Sequence, residues 1–593
     1  MMEKPFQIIL HDSASRHWLQ FNHPHRIIQA DTLKQVLPAL REVEDCVDRN
    51  GWHAVGFISY EAAPAFDNVL NVRPMDDFPL LWFGLFPEPL RTTTLPPKDG
   101  DYALGDWVPS TTRDTYNAAI KQVKLNIEHG KTYQVNYTFR LRNHFHGSAW
   151  SMFVDMVNAQ APGYSAYLET GSHLICSASP ELFFRLDGDQ VTCRPMKGTV
   201  KRGRTLAEDN ALADWLQKSI KNRAENVMIV DMIRNDLGRL AEIGSVRVPE
   251  LFVTERYATL WQMTSGVTAK TSVPFAELIS TLFPCASITG APKVSTMNII
   301  AALETTPRRL YTGAIGYLAP GRKAQFSVAI RTMLVDVKSG KAEYGVGGGI
   351  VWDSTSKDEY AEALLKARVL TMRQPSFSLL ETLRWSPSQG FWLLDEHLQR
   401  IGDSAAYFNI PFDRQNTETY LAEAALTFPA APQRLRLLLD RAGGLSHQVF
   451  PLAENNADQP APIRLRLASQ PVHVQDVFLF HKTTLREPYE KARQAQPDCD
   501  DVLLYNERGE LTETTIANLV VNLDGELATP PIACGLLAGT FRAHLLALGQ
   551  IHERVIQLAD LARCTQIFLI NSVRGWQKAI VLEDSTAPFS ANS

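Results

Sequence analysis

The sequence reads as a multi-domain protein of mixed helical and strand-like segments. Three observations carry that reading. First, 593 residues exceed what one hydrophobic core serves, and length alone suggests three or four domains, a count that large single folds reduce. Second, segments with helical spacing alternate with short apolar runs of strand character. Third, the pattern breaks at Arg373-Gln374-Pro375-Ser376 and then restarts, which places a linker at 373–376 between one part of residues 1–372 and another of 377–593.

Residues 1–110 mix short apolar runs with breaks such as Phe86-Pro87-Glu88-Pro89. From Thr112, Tyr116, Ile120, Val123 and Ile127 recur at helical spacing before a stop at Gly130. Leu174-Ile175-Cys176 and Leu182-Phe183-Phe184 read as strands. One long helix is expected from Ala211 to Leu240. Another starts at Pro292, where proline suits the first helical position, and runs to about Glu304. Gly345 to Trp352 reads as a Gly-rich strand and Asp358 to Met372 as a helix. The second part begins with a strand from Phe377 to Trp385 and a helix through Glu396 to Phe408. Paired strands near Arg434–Asp440 and Ile463–Ser469 follow, then a hairpin turn at Asn506-Glu507-Arg508-Gly509.

Lys+Arg (59) and Asp+Glu (64) nearly balance and no long basic block occurs, so nothing points to nucleic acid. No run of about 18 apolar residues exists to span a membrane. Met1 to Phe6 lacks the apolar core of a signal peptide. The seven cysteines are scattered without a C-x-x-C pair, which argues against a zinc ribbon or disulfide framework and fits a reducing, cytoplasmic setting.

Two groups of carboxylates are spaced for chemistry. Glu225 shares a helical face with Met228 and Met232, so a charge interrupts an apolar stripe. Glu359, Glu362 and Lys366 fall on one face of the helix expected from Asp358 to Met372. Hard oxygen donors with few protein contacts suit Mg²⁺ completed by water and a substrate carboxylate. The bland alternative for Glu362 and Lys366 is the favoured surface pair of any helix, and spacing alone does not choose. Lys197 stands in Cys193-Arg194-Pro195-Met196-Lys197-Gly198-Thr199, and an amine there becomes a nucleophile if its pKa is lowered. The bland alternative is a surface lysine in a turn.

Several further segments appear in a fixed order: Ser179-Pro180-Glu181, Ala224-Glu225-Asn226, Asp231 to Arg239, Ser287-Ile288-Thr289-Gly290-Ala291-Pro292-Lys293, Ala329-Ile330-Arg331-Thr332 and Gly347-Gly348-Gly349-Ile350-Val351. Together, over residues 111–372, they resemble the chorismate-utilising enzymes. The Pro-x-Lys-Gly-Thr signature resembles the aminodeoxychorismate synthase component I branch, where anthranilate synthases usually carry alanine at the lysine position. The resemblance implies a large, mostly antiparallel β-sandwich core with surrounding helices. It implies Mg²⁺ at Glu225 and Glu362 with Glu359 nearby. Arg331 and Lys366 would bind carboxylates, with Thr199 also on the substrate. Gly347, Gly348 and Gly349 would admit an anion to backbone N–H groups, and the turn from Ser287 to Pro292 would present a helix N-terminus to such charge. Glu181 would be the general acid/base on the departing 4-hydroxyl. Lys197 would attack C2 of the chorismate ring, and ammonia would then add at C4. Asn226 stands where the family often has His, and Ala286-Ser287 where Gly-Thr is usual; Ser287 keeps the hydroxyl. The family's tryptophan-binding motif is not found.

In the second part, His481-Lys482-Thr483-Thr484 precedes Glu510 to Leu519 with Glu513, and then Gly535 to Arg542. Pyridoxal 5'-phosphate (PLP) needs a lysine for attachment, an acid for its ring nitrogen and an anion site for its phosphate. Lys482, Glu513 and the helix start at Gly539-Thr540 supply one each, with Arg400 as a phosphate clamp. In this order they resemble the fold-type IV PLP enzymes, a two-subdomain α/β fold whose members include branched-chain and D-amino acid aminotransferases and aminodeoxychorismate lyase. Asn571-Ser572 resembles another phosphate-side segment of that family.

The resemblances imply a bifunctional enzyme of 4-aminobenzoate, and so folate, synthesis: chorismate is aminated to 4-amino-4-deoxychorismate, and pyruvate is then eliminated. No Cys nucleophile sits in a Gly-rich elbow, so a separate glutaminase subunit is the expected ammonia source. The alternatives are an anthranilate-type part fused to an aminotransferase, and an inert scaffold. The sequence leaves open channelling, dimerisation through the second part, tryptophan binding, and which of Arg434, Arg436 and Arg486 binds the second substrate's carboxylate.

Overall fold

The computed structural model describes residues 7–160, 163–371, 375–452 and 461–582. The chain divides into two compact units, one of residues 1–201 and 213–374 and one of residues 202–212 and 375–593. Arg373 and Gln374 of the expected linker lie outside the described residues, as does Met372.

Among the described residues, the first unit is built on two antiparallel sheets, of 11 and 10 strands. Side chains alternate along each strand, so one strand serves two cores. On His53–Ile58, Val55 and Phe57 join Ile8 and Phe21 of the other sheet in one buried cluster, while Ala54 and Ile58 face the helix Leu33–Asn50. The sheets therefore pack face to face as a sandwich, with helices on the outer faces. Ile229, Val230 and Ile233 of the helix Ile220–Gly238 cover the 10-stranded sheet, and Tyr116, Ile120 and Val123 of Arg113–Glu128 cover the 11-stranded one. The expected sandwich is present.

Local elements follow their signals with three corrections. The single helix expected from Ala211 to Leu240 is two, Leu206–Lys218 and Ile220–Gly238; Ser219 caps the second by accepting from the Asn222 amide. Pro292 is the cap before the helix Lys293–Leu303 rather than its first residue. The strands near 434–440 and 463–469 do not pair. Gln433–Leu439 pairs with Leu445–Pro451, and Ile463–Leu467 belongs to a different sheet. Apolar alternation identifies a strand but carries no information about its neighbour.

The second unit has two layers of its own. A 4-stranded antiparallel sheet shares a core with the helices Leu394–Phe408 and Arg414–Ala425, through Leu398, Ile401, Leu421, Leu435 and Leu437. An 8-stranded mixed sheet holds a separate core around Leu465, Leu503, Leu519 and Leu569. The turn at Asn506–Gly509 joins Asp501–Tyr505 to Leu511–Thr514, with Gly509 at φ 74. Among the described residues no helix is long and apolar enough to cross a membrane.

Candidate active sites

In the first unit, every residue expected at the first centre lines one cavity. The edge strand Met196–Lys201 brings Lys197, and Gly198 at φ 94 gives the strand its local irregularity beside Leu260–Lys270. Asn226 and Gln262 fix this bend: Gln262 Nε2 donates to the Gly198 carbonyl at 2.9 Å, and Asn226 accepts from the Ser265 hydroxyl. Burial and the nearby Lys366 lower the Lys197 pKa, against the pull of Glu181, Glu225 and Glu362. A lowered pKa shifts the balance toward the neutral amine that a nucleophile requires.

Glu181 lies between the strands His173–Ser179 and Leu182–Asp187, 4% exposed. Burial raises its pKa to about 7, while the Ser287 hydroxyl, which donates to its Oε1, and Lys197 pull it down. A carboxyl poised near neutrality suits proton transfer to a leaving hydroxyl. Ser287 reaches the cavity from the short turn Ala286–Ile288. The helix N-terminus expected there is not part of the lining; its Lys293 instead pairs with Asp236 at 3.0 Å.

Glu225 projects from Ile220–Gly238, and Glu359, Glu362 and Lys366 from Ser356–Ala367. Both readings of the last pair hold. Lys366 Nζ bonds Glu362 at 2.9 Å as a helix pair does, and it also donates to the Gly347 carbonyl of the cavity wall at 2.9 Å. Lys366 is thus tied to its neighbours, and it holds the Glu362 carboxyl below its ordinary pKa. Burial raises Glu359, the Ser354 hydroxyl lowers it, and Glu362 and Glu225 raise it further. A divalent cation would relieve the pressure that Glu362 and Glu225 put on the Glu359 charge. Among the described residues no three acidic or His/Cys side chains converge closely enough to hold an ion alone. Oxygen donors of this kind are the type that Mg²⁺ takes together with waters and a substrate oxygen.

The Gly-rich strand Lys341–Ile350 forms the opposite wall, with Gly348 beside Tyr137 and Gly349 beside Asn136 in the ladder. A Cβ on Gly349 would sit 2.0 Å from Gln134 Nε2 and 3.0 Å from Lys197 Nζ, so any larger residue would have to displace the ends of both side chains. Arg331 adopts φ 52 and donates to Gln160. Thr199 is at the exposed rim. Gln134 was not legible in the sequence. It is buried, its Oε1 has no partner, and it stands against Gly349 beside Lys197. An inward polar residue on a strand carries no spacing signal.

In the second unit another cavity collects Lys482, Glu513, Arg400, Gly539, Thr540 and Ser572. Burial and Arg400 lower the Lys482 pKa to about 8. Glu513 is raised to about 7 by burial. It accepts from Tyr489 Oη at 2.8 Å, the Leu537 amide at 3.2 Å and Asn518 Nδ2 at 3.1 Å. Gly539 caps the helix Thr540–Ala547, and a Cβ there would sit 1.8 Å from Asn518 Oδ1. A buried acid, a lysine of lowered pKa and a helix start beside Arg400 fit PLP in donor chemistry. His481, next to Lys482, is held by Ser404 and the Arg204 carbonyl.

Glu381 was also missed. Its carboxylate takes Arg400 by Nε and Nη2 and His397 by Nδ1, and Arg400 Nη1 donates to the Ala538 carbonyl. Arg434, Arg436 and Arg486 all face this cavity. Arg486 donates to the Thr515 carbonyl, and Arg434 stacks 4.8 Å over Phe450. Arg436 Nε is buried without a partner.

Residues 5–372 match the family model of the chorismate binding enzymes. The chain belongs to the chorismate binding enzyme family. Residues 378–580 match the model of amino-transferase class IV. Aminodeoxychorismate synthase component 1 of Escherichia coli is 38% identical over 279 residues, 47% of this chain and 61% of that protein. Anthranilate synthase component 1 of Methanothermobacter marburgensis is 33% identical over 341 residues, 53% of this chain and 73% of that protein. The chain thus spans less than two thirds of the aminodeoxychorismate synthase relative from Escherichia coli. Anthranilate synthase component I from Streptococcus pneumoniae shares the fold of 63% of the chain and 93% of its own, at TM-score 0.53 and 22% identity.

Proposed function

We propose that the chain makes 4-aminobenzoate for folate synthesis from chorismate in two steps, one in each unit. The observation that carries the reading is Lys197, an amine of lowered pKa in the same cavity as the buried acid Glu181. Lys197 Nζ forms a bond to C2 of the ring, the ring double bond shifts, and the C4–O bond breaks. Glu181 gives its proton to the departing hydroxyl. Ammonia then bonds to C4, the double bond returns, and the C2–Nζ bond breaks to release the amine of Lys197. Mg²⁺ at Glu225, Glu359 and Glu362 would neutralise the substrate's ring carboxylate, and Arg331 supplies a fixed cation. Gly347, Gly348 and Gly349 let the backbone approach the substrate closely.

The product carries an amine and an enolpyruvyl ether, which are the groups that the second cavity suits. PLP, when bound, supplies an electron sink. Lys482 takes the proton from the amine-bearing carbon, and its pKa near 8 suits that task. Glu513 would hold a proton on the cofactor's ring nitrogen, and Arg400, Thr540 and Ser572 would hold its phosphate. Pyruvate leaves and the ring becomes aromatic. The ammonia source is a separate glutaminase subunit. The setting is the cytoplasm, in keeping with seven free cysteines.

Mass spectrometry of products from chorismate, ammonium, Mg²⁺ and PLP tests the proposal. 4-Aminobenzoate and pyruvate are expected in equal amounts. Anthranilate instead rejects the assignment of the first unit, and accumulation of the aminated intermediate rejects that of the second.

A further inference from the structure

We infer that Arg308 is a positioning residue for the first centre: by gripping the Ile288 carbonyl it holds the Ser287 hydroxyl on Glu181. The inference rests on the reading of Glu181 as the acid.

Arg308 is among the largest fully buried side chains and lies behind the cavity, outside its lining. All five of its side-chain N–H donors find acceptors. Nε donates to Glu304 Oε2 at 3.0 Å, and Nη2 to Glu304 Oε1 and to the Asn136 carbonyl, each at 2.7 Å. Nη1 donates to the Ile288 carbonyl at 3.0 Å and to Thr312 Oγ1 at 3.3 Å. Its backbone N–H donates to Glu61 Oε1 at 2.6 Å. Glu304 is fixed in turn by the Thr138 amide at 2.9 Å and hydroxyl at 2.8 Å.

Two of these acceptors belong to the cavity walls. Ile288 closes the turn that carries Ser287, and its carbonyl also accepts from Asn136 Nδ2 at 2.9 Å. Asn136 stands opposite Gly349, and its amide donates to the Thr289 carbonyl at 2.9 Å. One planar guanidinium therefore ties the Ser287 turn to the strand that backs the Gly-rich wall. A lysine has three donors on a single atom and cannot bridge both carbonyls and the carboxylate in this geometry.

The consequence falls on Glu181. The groups that face it are Ser287, Lys197 and Cys285. Lys197 and the Ser287 hydrogen bond both favour its charged form, and the Cys285 thiol is itself pushed up to about 12 by burial and Glu181. A turn that slips takes the Ser287 hydroxyl away and lets the acid titrate higher.

The test is the pH profile of kcat/KM for chorismate amination by ammonium, in the full chain. Arg308→Lys is expected to move the Glu181-dependent limb to higher pH, as Ser287→Ala does. The double variant is expected to move it no further than Ser287→Ala. Glu304→Gln keeps the shape of the network and gives a smaller shift of the same sign; it carries the test if Arg308→Lys does not fold. Melting temperature is measured alongside. A lowered melting point with an unmoved limb, in a series where Ser287→Ala shifts it, makes Arg308 a stability residue and overturns the inference. A limb that survives Glu181→Gln rejects the acid assignment itself, a different signature.

Discussion

The Glu381 carboxylate forks onto Arg400, with Nε to Oε1 at 2.8 Å and Nη2 to Oε2 at 2.6 Å, and accepts from His397 Nδ1 at 2.6 Å on its second oxygen. Arg400 is thereby aimed before any phosphate arrives. Against burial, the Arg400 charge and the hydrogen bonds from Arg400 and His397 hold the Glu381 pKa far below its ordinary value of 4.5. Removing one member of such a buried pair costs about 3–5 kcal/mol, because the other charge stays unpaired. Glu381→Ala is expected to destabilise the full chain by that amount in urea at pH 7. The group's folded pKa is depressed, so its contribution is complete above pH 4.5 and fades as pH falls below it. A gap between wild type and variant that stays constant down through that window contradicts the assignment.

The two lysines separate the two reactions. Lys197→Ala is expected to abolish amination and leave elimination from supplied intermediate intact, and Lys482→Ala to do the reverse. Borohydride treatment of PLP-loaded protein should leave the cofactor's mass on the Lys482 peptide. Loss of both activities in either single variant means that the centres are not independent.

Lys482 also has a titration of its own. Burial and Arg400 bring its pKa from 10.5 to about 8. Labelling of cofactor-free protein by an amine-directed reagent, read by mass at the Lys482 peptide, should reach half its maximum rate near pH 8. Arg400→Met is expected to raise that midpoint and Glu513→Gln to lower it, since the first charge opposes the ammonium and the second favours it. Because the unfolded chain takes up this proton first, stability falls as pH drops from 10.5 to about 8 and levels off below that, so Lys482→Met should flatten that slope. A midpoint near 10.5 sinks the argument.

What the sequence made legible follows physical lines. Lys197 and Glu181 sit in short runs where Gly or Pro constrains the backbone, and Lys482 stands out through its order with Glu513 and Gly539-Thr540. Helices with apolar spacing, such as Arg113–Glu128, were readable from periodicity. Gln134, Arg308 and Glu381 were not. Each is a buried polar group whose meaning lies in partners far along the chain: Gln134 against Gly349, Arg308 on Asn136 and Ile288, Glu381 on Arg400. The break at Ser219 was hidden because helical residues continue on both sides of a cap. Strand neighbours were hidden because alternation names a face and not a partner.

Gly349 gives a packing test at the first centre. The added methyl of Gly349→Ala would meet Gln134 Nε2 at 2.0 Å and crowd Lys197 Nζ. Overpacking of this kind costs about 1–3 kcal/mol. Spent on the position of a nucleophile, that is roughly a 5- to 150-fold loss of kcat/KM for amination. Gly349→Ala with Gln134→Ala should recover part of it, because the obstructing amide is gone. No loss in the single variant, with the fold intact, means that the wall does not bear on Lys197.

Among the described arginines of the second cavity, Arg436 has a buried Nε with no hydrogen-bond partner. Arg486 is engaged with the Thr515 carbonyl, and Arg434 lies on Phe450. A hydrogen bond to a charged group contributes about 1.5–3 kcal/mol. If Arg436 holds a substrate carboxylate through binding and chemistry alike, Arg436→Leu should raise KM for elimination by roughly 10- to 150-fold and leave kcat in place. Arg434→Leu should act less, since its ring contact is worth about 0.5–1 kcal/mol. A fall in kcat at constant KM in Arg436→Leu would place that arginine in the chemical step instead, and an unchanged KM in both variants would move carboxylate recognition to Arg486.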